Sequence, residues 1–290
     1  MRVGCRTGPR RRRCSVTFEV VLLGTGNPVP DANRAGAATL VRVGGSLLLV
    51  DAGRAVTMRL AAAGVMPGML AAVLLTHLHS DHITDLNDVV TTHWVTSMEP
   101  RELSVIGPRG TGSVVDGLLT MLASDVSYRI AHHDDLNWAP QVAVTEIEGG
   151  VVREADGVRV LAAATDHRPV EPTVGYRIEF DGRAVVLAGD TVPCAGLDAL
   201  LAGADVYVQT VLRDDLVGLV PLQRFRDTID YHSTVVQAAQ TAARAGVRTL
   251  VLTHQVPTPA PDAAAEWIAI AAEHFGGEIV FGEDLATITV

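Results

Sequence analysis

The sequence predicts a layered α/β fold built on mixed β-sheets. Three observations carry this. Short apolar runs arrive in groups, and helical patterns lie between the groups rather than after every run. Four of the runs end alike, on a His or an Asp: "VLLTH" at His77, "LAAATDH" at His167, "VVLAGD" at Asp190 and "LVLTH" at His254. No Pro/Gly/Ser-rich linker or low-complexity segment interrupts residues 17–290, so a single domain is expected there.

Taken in order, "TFEVVLLG", "ATLVRVGG" and "SLLLVDAG" read as strands, and Gly44-Gly45 as the hairpin turn between the last two. "RAVTMRLAAAG" has helical spacing and stops at Gly64. A buried strand "LAAVLLTH", a helix "ITDLNDVVTTHWVTS", a strand "LSVIGP" and a helix "GSVVDGLLTMLAS" follow. A second group opens with the strands "QVAVTEIEGG", "GVRVLAAATDH", "TVGYRIEFDG" and "RAVVLAGD". Next come a short helix "LDALLAG" and a strand "ADVYVQTVL". "TVVQAAQTAARAG" places Val235, Val236, Ala239, Ala242 and Ala243 at helical spacing and ends at Gly246, with Ser233 and Thr234 as candidate caps. The strand "TLVLTH", the helix "DAAAEWIAIAAEHF" and the strand "LATITV" complete the chain.

The 290 residues are 48% hydrophobic, enough for a sizeable core. No apolar run approaches the ~20 residues of a membrane span, which predicts a soluble protein without a membrane partner. Six of the 23 basic residues fall in the first 13 positions, with no acid among them. The remainder carries 17 basic against 33 acidic residues, a net of −16. That balance argues against a broad RNA-gripping face and leaves room for a local one. Cys5, Cys14 and Cys194 form no Cys-x-x-Cys pair, so neither a disulfide framework nor a zinc ribbon is expected, and a cytoplasmic setting fits. Residues 1–16 read as a disordered basic extension rather than a signal peptide; a basic RNA-binding arm is the sharper alternative. "GTGNP" lacks the Gly-Lys-Ser/Thr of a nucleotide loop and reads as a tight turn.

The chemistry concentrates in "LLTHLHSDHITDL". His77, His79, Asp81 and His82 cannot share one helical face. In a tight loop they can feed two metal ions from opposite sides. Imidazole and carboxylate suit Zn²⁺, with Mn²⁺ or Fe as competitors. Adjacent strands would bring His167, Asp190 and His254 to the same sheet edge. Asp51 and Asp166 are candidates to hydrogen-bond a ligating histidine from behind. His132, His133, His93 and His274 read as residues without a site role.

His77-x-His79-x-Asp81-His82, followed by His167, Asp190 and His254 in that order, resembles the metallo-β-lactamase superfamily. The resemblance implies a four-layer αββα sandwich with two mixed sheets and a binuclear metal site on one edge. By it, one zinc takes His77, His79 and His167, the other takes Asp81, His82 and His254, and Asp190 bridges them. "LLGTGNPVPDANRAG" and "DYHST" are similar to the ribonuclease Z and arylsulfatase-like branch. That likeness implies phosphodiester hydrolysis, 3′ processing of tRNA precursors and a homodimer. It gives His232 contact with the scissile phosphate and protonation of the leaving group. It also makes Asp81 a proton acceptor for the attacking water, and Arg34 a substrate-side residue.

Three features depart from the branch. Only "RPVEPTVGYRIEFDGRAVVLAG" separates His167 from Asp190, so the tRNA-gripping arm is absent. Gln209 and Thr210 stand where the branch has a His-Glu pair whose Glu supports the phosphate-contacting histidine. "DAGRAV" at 51–56 replaces Gly-Glu-Gly. These differences keep three readings open: an RNA-cleaving phosphodiesterase, an arylsulfatase-like or small-molecule phosphodiesterase, and a non-catalytic metal-binding protein on the same fold.

Overall fold

The computed structural model describes residues 17–290, and the expectation for residues 1–16 lies outside them. Two seven-stranded mixed sheets face each other. The first contains β1 (Phe18–Gly24), β2 (Ala38–Val43), β3 (Ser46–Val50), β4 (Ala72–Leu74), β5 (Glu102–Pro108) and β6 (Gln141–Ile147). Its helices are α1 (Val56–Ala62), α2 (Ser80–Ile83), α3 (Leu86–Val95) and α4 (Thr111–His132). The second contains β7 (Gly150–Ala155), β8 (Val158–Ala164), β9 (Val174–Phe180), β10 (Arg183–Leu187), β11 (Val206–Leu212), β12 (Thr249–Val256) and β13 (Glu278–Phe281). Its helices are α5 (Ala195–Leu201), α6 (Asp214–Val217), α7 (Gln223–Arg226), α8 (Val235–Ala245) and α9 (Ala264–Ala272). The last strand, β14 (Thr287–Thr289), returns to the first sheet beside β1.

Strand periodicity builds the layers. Along β1, Val20 and Leu22 point into the core between the sheets, while Val21 and Leu23 face the helices. The central core joins Val20, Leu22, Leu48 and Leu74 to Tyr176, Ile178, Leu187 and Val251 of the opposite sheet. A second core packs Leu40, Leu49 and Leu75 against Leu60, Leu86 and Val90 of α1 and α3. A third packs Val186, Tyr207 and Leu252 against Leu197, Ala239 and Trp267 of α5, α8 and α9. Three cores separate four layers, which is the αββα sandwich. Each fully buried Leu or Val contributes about 1.5–3 kcal/mol of transfer free energy.

Parallel pairing decides where the site lies. β3, β4, β5 and β6 run parallel, as do β10, β11, β12 and β13. Their C-terminal ends share one edge, where α/β sheets place their ligands. Gly44 and Gly45 make the β2–β3 turn with φ of 58° and 88°, the backbone a two-residue hairpin loop of this hand requires. α8 opens on a capping box between Thr234 and Gln237 and closes at Gly246 with φ 69°.

Several sequence expectations shift. The helix expected over 112–124 continues to His132, carried past its apolar stripe by pairs such as Arg129 Nε to Asp125 at 2.8 Å. His132 and His133 are exposed at its end, and His274 is exposed too. In α8 the buried stripe is Val235, Ala238, Ala239 and Ala242; Ala243 is exposed. The segment "QVAVTEI", which opens the second group in sequence, is the edge strand of the first sheet. β7 and β13 carry too little alternation to stand out locally, and pairing with β8 and β12 makes them strands.

Candidate active site

The site grows out of the loops that follow β4, β8 and β10 and from β12 itself. His77 leaves β4 just before α2, whose first turn carries Asp81 and His82. His167 follows β8, Asp190 follows β10, and His254 lies within β12. Gly189 lets the Asp190 loop approach the His77 loop. Its φ is 66°, and a Cβ there would lie 2.8 Å from Thr76 Cβ. Gly189→Ala is therefore expected to lower both melting temperature and metal content, through a left-handed residue costing about 1–2 kcal/mol plus a clash. An alanine variant as stable and as metal-loaded as the parent would contradict this.

The side chains converge on one point. Asp190 Oδ2 lies 3.2 Å from His232 Nε2, 3.4 Å from His82 Nε2, and 3.8 Å from both His77 Nε2 and His254 Nε2. His167 Nε2 stands 3.9 Å from the same oxygen. His77, His79, His167 and Asp190 form one group and Asp81, His82 and His254 another, each with its ligand atoms within 4.8 Å of one another. The sequence-expected ligand types are thus together, and all but the half-buried His79 are buried.

These residues fit a pair of cations. His77 Nε2 and His79 Nδ1 face each other at 3.1 Å, and His79 Nδ1 and His167 Nε2 at 3.4 Å. Ligand atoms about 2.0–2.1 Å from a tetrahedral zinc would be spaced similarly. His82 Nε2 is buried without a hydrogen-bond partner, an arrangement that is costly unless a cation meets the lone pair.

Groups behind the ligands set their tautomers. His82 Nδ1–H donates to Asp51 Oδ2 at 2.8 Å, and Asp51 also accepts from Thr76 N and Thr76 Oγ1, each at 2.8 Å. His77 Nδ1–H donates to Thr76 Oγ1 at 3.0 Å, and His167 Nδ1–H donates to the Tyr231 carbonyl at 2.8 Å. Each bond leaves Nε2 facing the cluster with its lone pair. Thr210 Oγ1 holds the other oxygen of Asp190 at 2.8 Å.

Burial pushes the imidazoles of His77 and His79 down, and lowers His167 to about 4. Burial acts the same way on His82 and His254. There it is outweighed, chiefly by Asp190 and then by Asp51 and Asp81 respectively, and both are raised. Asp190 is lowered despite its burial because His254 and His82 surround it, and Asp81 is lowered by its hydrogen bond to His254. With their basicity raised, the His82 and His254 rings are sites where protons compete with a cation, so metal affinity should rise with pH. Chelator competition from about pH 6 to about pH 8 measures this; a flat affinity would contradict it.

His232 ligates in neither group. Its Nδ1–H donates to the Thr228 carbonyl at 2.9 Å, and its Nε2 faces Asp190 Oδ2. Gln209, at the position of the branch's supporting pair, turns elsewhere: it accepts from Tyr207 Oη at 2.6 Å and donates to the Thr210 carbonyl.

Two sequence expectations need correcting. Asp166 does not reach a histidine nitrogen; it is half-exposed and pairs with Arg168 at 2.5 Å and 2.9 Å, because the chain turns there and the guanidinium competes better than a buried ring. Arg34 does not line the cleft above the cluster. Its guanidinium points inward to Thr25 Oγ1 at 2.8 Å and Gln255 Oε1 at 2.9 Å. Sequence reasoning missed Thr76 and the contact of Thr210 with Asp190. It also missed the segment 214–230, whose short helices wall the cleft with Arg224, Phe225 and Thr228. For Thr76 a signal exists, since "LTH" occurs at both 75–77 and 252–254.

Two seven-stranded sheets between helices, with a His/Asp cluster at one shared edge, define a metal-dependent hydrolase of the metallo-β-lactamase superfamily. The Beta-lactamase superfamily domain matches residues 47–255. The chain belongs to the ribonuclease Z family. It is 55% identical over 275 residues to ribonuclease Z of Mycolicibacterium gilvum (strain PYR-GCK), covering 94% of this chain and 96% of that one. It is also 55% identical to ribonuclease Z of Mycobacterium marinum, covering 94% and 99%. Among solved structures, metallo-β-lactamase-fold YhfI from Bacillus subtilis superposes with a TM-score of 0.75 at 22% identity, covering 95% of this chain and all of that one. Human tRNase Z, short form, superposes with a TM-score of 0.67 at 22% identity, covering 93% and 98%.

Proposed function

We propose that this protein is a two-zinc phosphodiesterase that trims the 3′ end of tRNA precursors. His77, His79 and His167 would hold one ion and Asp81, His82 and His254 the other, with Asp190 available to both. The convergence of five histidine nitrogens within 3.2–3.9 Å of Asp190 Oδ2 carries this reading. The mycobacterial relatives support the RNA substrate. Their aligned 275 residues amount to 96–99% of their own lengths, so they leave no room for a long additional arm. The short stretch between His167 and Asp190 is then no obstacle to the name those relatives carry.

When bound, the ions supply an activated water and positive charge for the anionic transition state. The chain does the rest. Asp81 accepts the water's proton while its other role is that of ligand. Asp51, Thr76 and the Tyr231 carbonyl hold the imidazoles in register. His232 is held by its Nδ1 contact with the Thr228 carbonyl, and its Nε2 faces Asp190 Oδ2 at the cleft floor. It gives its proton to the departing oxygen. The Thr228 carbonyl takes over the orienting task that a carboxylate performs elsewhere in the branch.

The test is hydrolysis of a precursor tRNA, bis-p-nitrophenyl phosphate and p-nitrophenyl sulfate by protein stripped with a chelator and reloaded with zinc. Correct tRNA trimming that is lost on chelation and restored by zinc supports the proposal. Cleavage of the small diester or the sulfate without RNA cleavage supports the second reading, an arylsulfatase-like or small-molecule phosphodiesterase, which the acidic body favours. Metal binding without any hydrolysis supports a non-catalytic protein. On family likeness we also propose a homodimer, read by sedimentation velocity, and a cytoplasmic location, read by fractionation. No described helix is long and apolar enough to cross a membrane.

A further inference from the structure

The cleft above Asp190 and His232 holds about 300 Å³. Its apolar and aromatic lining comes from Pro28, Val29, Phe225, Tyr231 and Val256. Arg224 is the one arginine among the residues that line it. A scissile phosphate alone needs no such walls. A flat, apolar group attached to it does.

The arginines of this segment are not equivalent. Arg213 is buried and paired with Asp215 at 2.6 Å and Glu266 at 2.8 Å. Arg226 donates to the Val220 carbonyl at 2.6 Å and to Gln223 Oε1 at 2.7 Å. Arg224 is exposed and makes no ion pair or side-chain hydrogen bond among the described residues. Its guanidinium lies over the Phe225 ring, 6.0 Å from the centroid, so the two side chains form one cation–π platform. His232, Tyr231, Thr228 and this platform all come from residues 224–232, so the side of the cleft that carries the proton donor also carries the aromatic wall.

The charge balance adds a constraint. With an acidic body, RNA cannot be held by a broad basic field, and its affinity has to arise from local contacts. Base stacking on an aromatic ring is such a contact and tolerates any base. Arginine beside it suits a backbone phosphate.

We propose that Phe225 and Arg224 form a one-nucleotide subsite on the leaving-group side of the cut, Phe225 stacking the base and Arg224 pairing with the adjoining phosphate. This rests on the RNA reading above. Recognition is thereby concentrated on one nucleotide at the cleft mouth.

The experiment uses zinc-loaded full-length protein and a short RNA carrying either an ordinary or an abasic nucleotide on the leaving side of the cut. In the wild type, the abasic change should lower kcat/KM by about 5- to 150-fold, the range that stacking on one ring spans. Phe225→Ala should lower kcat/KM on intact RNA by a similar factor, and the abasic change should then cost little more. Phe225→Trp should restore both the rate and the sensitivity to the missing base. Melting temperature and zinc content report whether each variant is folded. Arg224→Gln should flatten the slope of log kcat/KM against log salt by about 0.7, the value for one phosphate of a single strand. Losses from Phe225→Ala and the abasic change that multiply independently, in an enzyme that cleaves RNA, overturn the subsite alone. A wild type that hydrolyses bis-p-nitrophenyl phosphate but no RNA overturns the RNA reading, and the subsite with it.

Discussion

Asp190→Ala is expected to strip the site of metal and to lower kcat/KM by roughly 10³-fold or more, the scale of a lost metal-ion contribution of several kcal/mol. The carboxylate is 2% exposed and central to five imidazole nitrogens. It is the leading counter-charge for His82 and His254, whose raised basicity depends on it. Without it, buried rings converge with one neutralising carboxylate fewer, and the cost falls on cation binding and folding together. Asp190→Asn separates charge from shape. It keeps an acceptor for Thr210 Oγ1 but not the negative charge, so its metal content should fall nearly as far. Metal content by mass spectrometry and turnover on a small diester read both. A variant with a full metal complement and normal turnover would remove Asp190 from its central role.

His232→Ala should separate differently. His232 belongs to neither ligand group, so metal content should persist. RNA cleavage should fall by about 10²–10⁴, the range of a general acid. A p-nitrophenyl leaving group is a far weaker base than a ribose oxygen, so the same variant should lose much less on bis-p-nitrophenyl phosphate. That difference distinguishes proton donation from structural damage, which would depress both substrates alike. Equal losses on the two substrates would sink the general-acid role and leave His232 as a prop for Asp190 Oδ2 at 3.2 Å.

The cluster is legible in the amino-acid sequence because each of its members ends or follows a short apolar run. Strand ends can be read locally, and a His or Asp there is a conspicuous departure from an apolar pattern. Asp51 is legible for the same reason, at the end of "LLLV". Asp166 misleads: it also ends an apolar run, but Arg168 two residues on captures it. Arg34 misleads in the opposite sense. It sits in a polar loop beside the site, yet Gln255 and Thr25 draw it inward.

Local pattern therefore determined most of the strands, the helix caps at Thr234 and Gly246, and the strand-end His and Asp residues that converge on Asp190. Pairing order decided the rest. It placed "QVAVTEI" in the first sheet, made β7 and β13 strands, and brought residues 214–230 over the cleft. It also chose what supports the key histidines. Tyr231 and Thr228 offer His167 and His232 their backbone carbonyls, at 2.8 Å and 2.9 Å. Every residue in the chain has a carbonyl, so nothing in a side-chain sequence marks which one will stand behind a catalytic ring. That choice belongs to the path of the backbone, and only the packed sheets fix it.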